Sequence, residues 1–209
     1  MIPGVDIRIV CVPQRMDNVR MNAAALEVPN NRIFVDKKRE GVLVNAHRAW
    51  SMPTEEPWVL VMQDDIELCK GFPEIAKRIA ATLKDCVVSF FPSEFMHPEK
   101  FSFVVRSHYI QTTMASGCAL MIPSKLIPDL LEYWKFDAPG DDINVQNWAH
   151  DRKIKIITTN PVLIQHLGQE SVFNPTRSIG RSLLYDPEPD PDINWENDYY
   201  TPSTNILRR

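Results

Sequence analysis

From Ile7 to Phe91 the chain alternates short apolar runs with stretches of helical periodicity, and no other feature restricts its fold as strongly. Ile7 to Val12 is almost continuously apolar and is closed by Pro13, the pattern of a strand buried on both faces. Asp17 stands where a cap would open a helix, whose apolar positions Val19, Ala23 and Leu26 fall three and four apart. Pro29-Asn30-Asn31 then turns the chain into a second strand, Arg32 to Val35, ending at Asp36. Val42, Ala46, Ala49 and Trp50 recur at helical spacing until the proline-bounded segment from Pro53 to Pro57 breaks the pattern. Trp58 to Met62 reads as a third strand, Pro73 to Leu83 as an amphipathic helix and Val87 to Phe91 as a fourth strand. This order predicts an α/β domain with a mostly parallel central sheet and helices on both faces.

The second half carries more β signal. Phe101 to Arg106 and His108 to Thr112 predict a small antiparallel element, either a hairpin or a bent ribbon. Ser116 to Ile122 predicts a further strand with Gly117 inside it. Pro123 to Phe136 has the spacing of a helix through Leu126, Leu130 and Trp134, and Pro128 within it requires a lead-in turn or a kink. Asp141 to Lys153 predicts a helix opened by acids. Ile154 to Thr158 and Val162 to Ile164 read as short strands, the second running into Gln165-His166-Leu167-Gly168.

At 209 residues and 44% hydrophobic composition, the chain suits one substantial core rather than two. A net charge of -4 gives no chain-wide basic field, which argues against a simple polyanion-binding module. The imbalance is local, because Asp186, Glu188, Asp190, Asp192, Glu196 and Asp198 face only Arg208 and Arg209 in the last segment. The expected organisation is therefore a neutral domain over 1–185 and an acidic, proline-rich tail over 186–209, wrapped on the body or mobile. Cys11, Cys69, Cys86 and Cys118 stand apart with no C-x-x-C pair, which predicts buried free thiols in a reducing compartment. No apolar run approaches the roughly 20 residues that cross a bilayer, and no basic leader precedes one. A soluble, cytoplasmic protein with no membrane partner is expected.

In open α/β sheets, ligands bind beyond the carboxyl ends of the strands, so polar residues that terminate apolar strands are the first candidates. Asp64 and Asp65 follow the strand Trp58 to Met62 directly. Two neighbouring carboxylates entering a core repel one another and invite a compensating cation, for which Mg²⁺ or Mn²⁺ shared with a diphosphate is the natural choice; a helix cap or solvated turn is the plain alternative. His166 ends a short strand, where a structural imidazole and a metal ligand are both compatible with the pattern. Asp141 and Asp142 open a helix after Pro139-Gly140; capping explains one carboxylate and leaves the other available as a general base.

Taken in order, the β-α-β-α opening, a strand ending in Asp-Asp, the small-residue stretch Ser116-Gly117-Cys118-Ala119, the acidic pair and the strand ending in His-x-Gly resemble a GT-A-type nucleotide-sugar glycosyltransferase. The likeness is to lipopolysaccharide and collagen-type galactosyltransferases and related inverting families, and it runs from Ile7 to about Arg181. It implies that Pro13, Arg15 and Asp36 hold the nucleoside and that Arg48 lies near the donor phosphates. Asp65 would ligate the metal, with Asp64 its partner on the ribose or donor sugar, although the missing spacer leaves those two roles open. His166 would be the late metal ligand, and Asp142, or else Asp141, the acceptor base. Arg177 and Arg181 would close over the pyrophosphate.

The implied reaction moves a sugar from a nucleoside-diphosphate sugar, UDP-sugar favoured, to an acceptor hydroxyl with Mn²⁺ or Mg²⁺ as cofactor. The acceptor would be a glycan or a hydroxymethylated base in DNA, as some bacteriophage enzymes use; Lys37-Lys38-Arg39 and Arg152-Lys153-Lys155 are either phosphate contacts or ordinary solvated faces. The competing readings are a metal-dependent nucleotidyl- or phosphotransferase and an inactive nucleotide-binding protein on the same fold. The absence of a glycine-rich phosphate loop argues against kinases and dinucleotide enzymes, and the absence of G-x-S-x-G against serine hydrolases.

Overall fold

The structure is a computed structural model that describes residues 2–91, 108–168, 180–195 and 199–200. The predicted strand from Phe101 to Arg106, Arg177, and the tail acids Glu196 and Asp198 lie outside the described residues. The elements in chain order are β1 (Val5–Cys11), α1 (Met16–Ala25), β2 (Ile33–Val35), α2 (Val42–Ser51), β3 (Trp58–Met62), β4 (Ile66–Leu68), α3 (Phe72–Thr82) and β5 (Cys86–Ser89). There follow β6 (Tyr109–Thr112), β7 (Ala119–Pro123), α4 (Ile127–Tyr133), α5 (Asp141–Asp151), β8 (Lys155–Thr159), β9 (Ile164–His166) and β10 (Tyr199–Tyr200).

The central sheet has the order β10-β6-β8-β5-β7-β3-β1-β2. β1, β2, β3, β5 and β8 run one way, while β7 pairs antiparallel with both β3 and β5, and β6 pairs antiparallel with β8. The mixed α/β architecture with a mostly parallel sheet and antiparallel additions from the second half is the one the alternation predicts. Strand periodicity divides each apolar run between two cores. Along β3, Trp58, Leu60 and Met62 face α1 and α3, where Val19, Ala23, Phe72, Ala76 and Ile79 pack. Val59 and Val61 face α2, α4 and α5, among Ala46, Trp50, Leu130, Val145 and Trp148. Each fully buried aliphatic side chain in these layers contributes about 1.5–3 kcal/mol.

Several boundaries differ from the sequence expectation for identifiable reasons. Pro13 opens a 3-10 turn over Pro13–Arg15 that feeds straight into α1, so Asp17 sits inside the first turn and pairs with Arg20 on the surface instead of capping. Gly117 lies in the turn before β7, not within the strand. Pro128 falls in the first turn of α4 behind the 3-10 turn Ser124–Leu126, which is the lead-in its ring requires. Arg8, inside the apolar β1 run, is fully buried. Its guanidinium pairs with Asp6 at 2.7 Å and donates to the last carbonyls of α2, Ala49 O and, at 3.2 Å, Trp50 O. A cation at a helix C-terminus is favoured by the macrodipole.

β4 and β9 form a separate antiparallel ribbon that pairs Ile66 with His166. The segment after residue 180 lies along the body. Gln165 exchanges amide hydrogen bonds of 2.9 and 2.8 Å with the Ser182 backbone, Asp186 N donates to Val162 O at 3.1 Å, and Lys70 N donates to Pro187 O at 2.8 Å. Trp195 is buried in the α1–α3 core, where Tyr109 donates its hydroxyl to Trp195 O at 2.7 Å. All four cysteines are buried free thiols, and burial pushes Cys11, Cys69 and Cys86 up to about 12. Among the described residues, no helix is long and apolar enough to cross a membrane.

Candidate functional site

β1 and β3 are parallel neighbours, so their carboxyl ends open onto one edge of the sheet. As the chain leaves β3, Gln63 N donates to Cys118 O at 2.9 Å, which ties the exit to the turn before β7. The next two residues are turned inward and are 5% and 6% exposed. Asp64 Oδ2 accepts the Val12 N–H at 2.7 Å, and Oδ1 accepts Arg15 Nη1 at 2.9 Å. The same Arg15 nitrogen donates to Asp65 Oδ2. That oxygen is also 3.1 Å from His166 Nε2, whereas Asp65 Oδ1 is buried with no hydrogen-bond partner.

The His166 ring is oriented by its own turn, since Gly168 N–H donates to Nδ1 at 2.9 Å. Nδ1 is therefore an acceptor, and the ring proton belongs on Nε2, directed at Asp65. The acidic turn is fixed from beneath by α1. Asn18 donates to Asp64 O and Ile66 O, Asn22 donates to Ile66 O at 3.1 Å, and Leu167 N donates to Asp65 O at 2.9 Å. Burial raises the Asp64 carboxyl despite the Val12 and Arg15 bonds, with the Asp65 charge adding to the rise. For Asp65 burial acts in the same sense, but the His166 and Arg15 contacts outweigh it and hold the carboxyl below its ordinary value.

The acidic pair of α5 borders the same edge. Asp141 is buried beside Gly117, where an added Cβ would come within 2.8 Å of Gln63 Nε2 and 3.1 Å of Asp141 Oδ1. A larger residue there would push the Gln63 amide and the Asp141 carboxylate aside. Burial, reinforced by the charge of Asp142, raises the Asp141 carboxyl to about 7. Asp142 is half-buried and folds back over Gly140, with Oδ1 accepting the Ile143 N–H at 2.9 Å and lying where a Gly140 Cβ would stand. The Cys118 thiol is raised by burial and then by Asp65, Asp142 and Asp141, so all three carboxylates lie within electrostatic reach of it.

The structure thus brings together Pro13, Arg15, Asp64, Asp65, Asp141, Asp142 and His166 at one edge. It gives the other candidates different surroundings. Asp36 is buried at the end of β2, and both its carboxylate oxygens accept backbone N–H groups, from Glu40 and Gly41, each at 2.9 Å. Arg48 pairs with Glu40 on the outer face of α2. Arg181 is exposed and lies 3.4 Å from Glu67 on β4. Arg177 lies outside the described residues. A cavity of about 290 Å³ opens at the opposite end of the sheet, lined by Asp6, Glu27, Arg32 and Glu55 among others, and none of the candidate residues reaches it. The site is defined by its side chains and not by that cavity.

Among the described residues, no three His, Cys, Asp or Glu side chains converge as a self-sufficient metal cluster. Asp65 nevertheless suits a divalent ion that completes its shell with phosphate and water, the usual habit of Mg²⁺ and Mn²⁺, and His166 joins it through Nε2 only if the ring proton moves to Nδ1 and the Gly168 bond opens. Asp65 Oδ1 is the orphaned buried acceptor on which such an ion would sit. Asn18, Asn22, Gln63 and the Val12 N–H were not among the residues singled out from sequence. Asn18 and Asn22 are spaced four apart on α1 beside its apolar stripe, the one trace that a polar pair faces inward there.

No protein-family model matches the chain, and a search of curated proteins finds no match. Among solved structures the chain is similar to a nucleotidyl transferase from Methanothermobacter thermautotrophicus, at 16% identity and a TM-score of 0.42 over 72% of this chain. It spans 61% of that protein's length. It is also similar to Drosophila beta1,4-galactosyltransferase 7 in complex with xylobiose, at 10% identity and a TM-score of 0.38 over 78% of this chain and 71% of that one. A variant of the same enzyme with manganese, UDP-galactose and xylobiose gives 7% identity, a TM-score of 0.38 and the same coverage. Scores of this size do not establish a shared fold, and the functional reading rests on the side chains themselves.

Proposed function

We propose that the chain is a metal-dependent glycosyltransferase of GT-A type that moves a sugar from a nucleoside-diphosphate sugar, UDP-sugar favoured, to an acceptor hydroxyl. The observation that carries the reading is the buried group of Asp64, Asp65, Arg15 and His166 beyond β1 and β3, with one carboxylate oxygen left without a partner. Asp65, joined by His166 once its proton has moved from Nε2 to Nδ1, would hold Mn²⁺ or Mg²⁺; when bound, the ion neutralises charge on the departing diphosphate. Asp64, fastened to the Val12 N–H and Arg15, holds the turn that follows β1 in place. Asp36 anchors the loop before α2. Asp142, on the rim and half-buried, is the group for removing the acceptor hydroxyl proton if configuration inverts, because Asp141 beside it is held toward the neutral acid. The acceptor is a glycan or a hydroxymethylated DNA base, the latter requiring extrusion from the duplex.

Mass spectrometry of the protein incubated with a panel of nucleotide sugars, Mn²⁺ and either glycans or hydroxymethylated DNA tests the reading and identifies the acceptor. Asp142→Asn is expected to lower transfer by at least about 100-fold while donor affinity changes little, the range of a lost general base. A fall in donor affinity equal to the loss of activity would remove Asp142 from that role.

A further inference from the structure

The least economical feature of the site is the use of one guanidinium for two buried carboxylates. Arg15 Nη1 bridges Asp64 Oδ1 at 2.9 Å and Asp65 Oδ2, its side chain is 12% exposed, and it is rooted in the 3-10 turn that precedes α1. Asp64 is committed to the Val12 N–H at 2.7 Å as well as to Arg15. Asp65 shares one oxygen between Arg15 and His166 and has no partner on the other, although its side chain is only 8% exposed. A buried carboxylate oxygen with no partner is a vacant acceptor that a further cation can occupy.

We propose that Arg15 is a resident cation, holding Asp64 and Asp65 together in the nucleotide-free protein and yielding Asp65 to a divalent ion only when a diphosphate offers the guanidinium a new partner. This rests on the reading of Asp65 and His166 as ligands of that ion. A divalent ion on Asp65 meets a guanidinium ion-paired to the same carboxylate, and two cations at such separations repel one another even in a partly screened site. Metal alone must therefore break the Arg15–Asp65 pair while Arg15 stays close by on Asp64. With a diphosphate present, Arg15 transfers its donors from carboxylate to phosphate, for which a guanidinium is suited by charge and geometry. The two ligands then bind with positive coupling, and each raises the affinity for the other by the same factor. The arrangement discourages a metal-loaded, nucleotide-free state.

The test titrates full-length protein with Mn²⁺, following the free ion by electron paramagnetic resonance, without and with UDP, for the wild type, Arg15→Gln, Arg15→Lys and Asp65→Asn. In the wild type Mn²⁺ alone binds weakly and UDP tightens it. In Arg15→Gln, Mn²⁺ alone binds on the order of tenfold more tightly, the size of one charge interaction removed, and the enhancement by UDP shrinks by a similar factor. Arg15→Lys keeps the charge but loses the planar guanidinium, so it tightens Mn²⁺ by a smaller factor and serves should the glutamine variant not fold. Asp65→Asn abolishes Mn²⁺ binding in every case. If neither Arg15 variant binds Mn²⁺ more tightly than the wild type while Asp65→Asn still removes binding, the resident-cation role is overturned and the metal reading stands. Binding that ignores Asp65→Asn, or no binding with or without UDP, overturns the metal reading itself.

Discussion

Asp65 and Asp141 carry the same carboxyl group and are buried to the same degree, 6% exposed each, yet their surroundings act on them in opposite directions. Asp65 is held ionised by His166 and Arg15, whereas Asp141, buried first and then repelled by Asp142, is raised to about 7. The folded state therefore binds the Asp141 proton more tightly than the unfolded chain does. Its contribution to stability is present in full below the ordinary carboxylate value and is lost as pH rises through about 7. Thermal melts of Asp141→Asn against pH should show little change from the wild type near pH 4 and a relative gain at pH 8, as about one buried charge is removed. A variant that loses stability equally at both pH values would mean that the carboxyl is retained for its hydrogen bonds. At this scale the sequence left Asp64 and Asp65 interchangeable, because adjacent residues of one type carry no sign of which oxygen finds a partner. The structure separates them by their partners: both Asp64 oxygens are bonded, and one Asp65 oxygen is not.

Elements long enough to show a period were legible before any coordinates. β1, β3 and β8 read as apolar runs, and α2 and α3 as apolar positions three and four apart, because each buries enough side chains to force the pattern. The β4–β9 ribbon was not legible as such: three residues a strand carry too little periodicity, and its pairing joins Ile66 to His166 across a hundred positions of sequence. That ribbon delivers the imidazole to Asp65, so the contact most important for the site arises from the element with the weakest local signal. Arg8 was hidden for the opposite reason, since a single charge inside an apolar run leaves the reading of a buried strand unchanged and gives no sign of what pairs with it. Its real partners are Asp6 and the end of α2. Arg8→Ala should lower the unfolding free energy by about 3 kcal/mol in a denaturant titration, because Asp6 keeps Arg32 at 2.8 Å but α2 loses its C-terminal cation. A change within about 0.5 kcal/mol would show the cluster to be replaceable.

Across the whole molecule, the charge of -4 is concentrated after residue 185 and the site lies in the balanced body, so net charge says little about an anionic substrate. The acidic segment is fastened by its few apolar residues: Trp195 is 1% exposed within the α1–α3 core, and Arg78 donates to Ile193 O at 3.0 Å. Trp195→Ala is expected to cost about 3–5 kcal/mol of stability, measured by denaturant unfolding, as for other large-to-small changes in a core. A loss below about 1 kcal/mol would mean that the segment contributes little to the fold. The central claim concerns what leaves when the donor reacts. The most direct measurement is the identity of the nucleotide released when the wild type and Asp65→Asn are incubated with a UDP-sugar, an acceptor mixture and Mn²⁺. The account predicts UDP from the wild type, none after chelation of the ion, and none from Asp65→Asn; UMP, or release unaffected by the chelator and by the substitution, would contradict it.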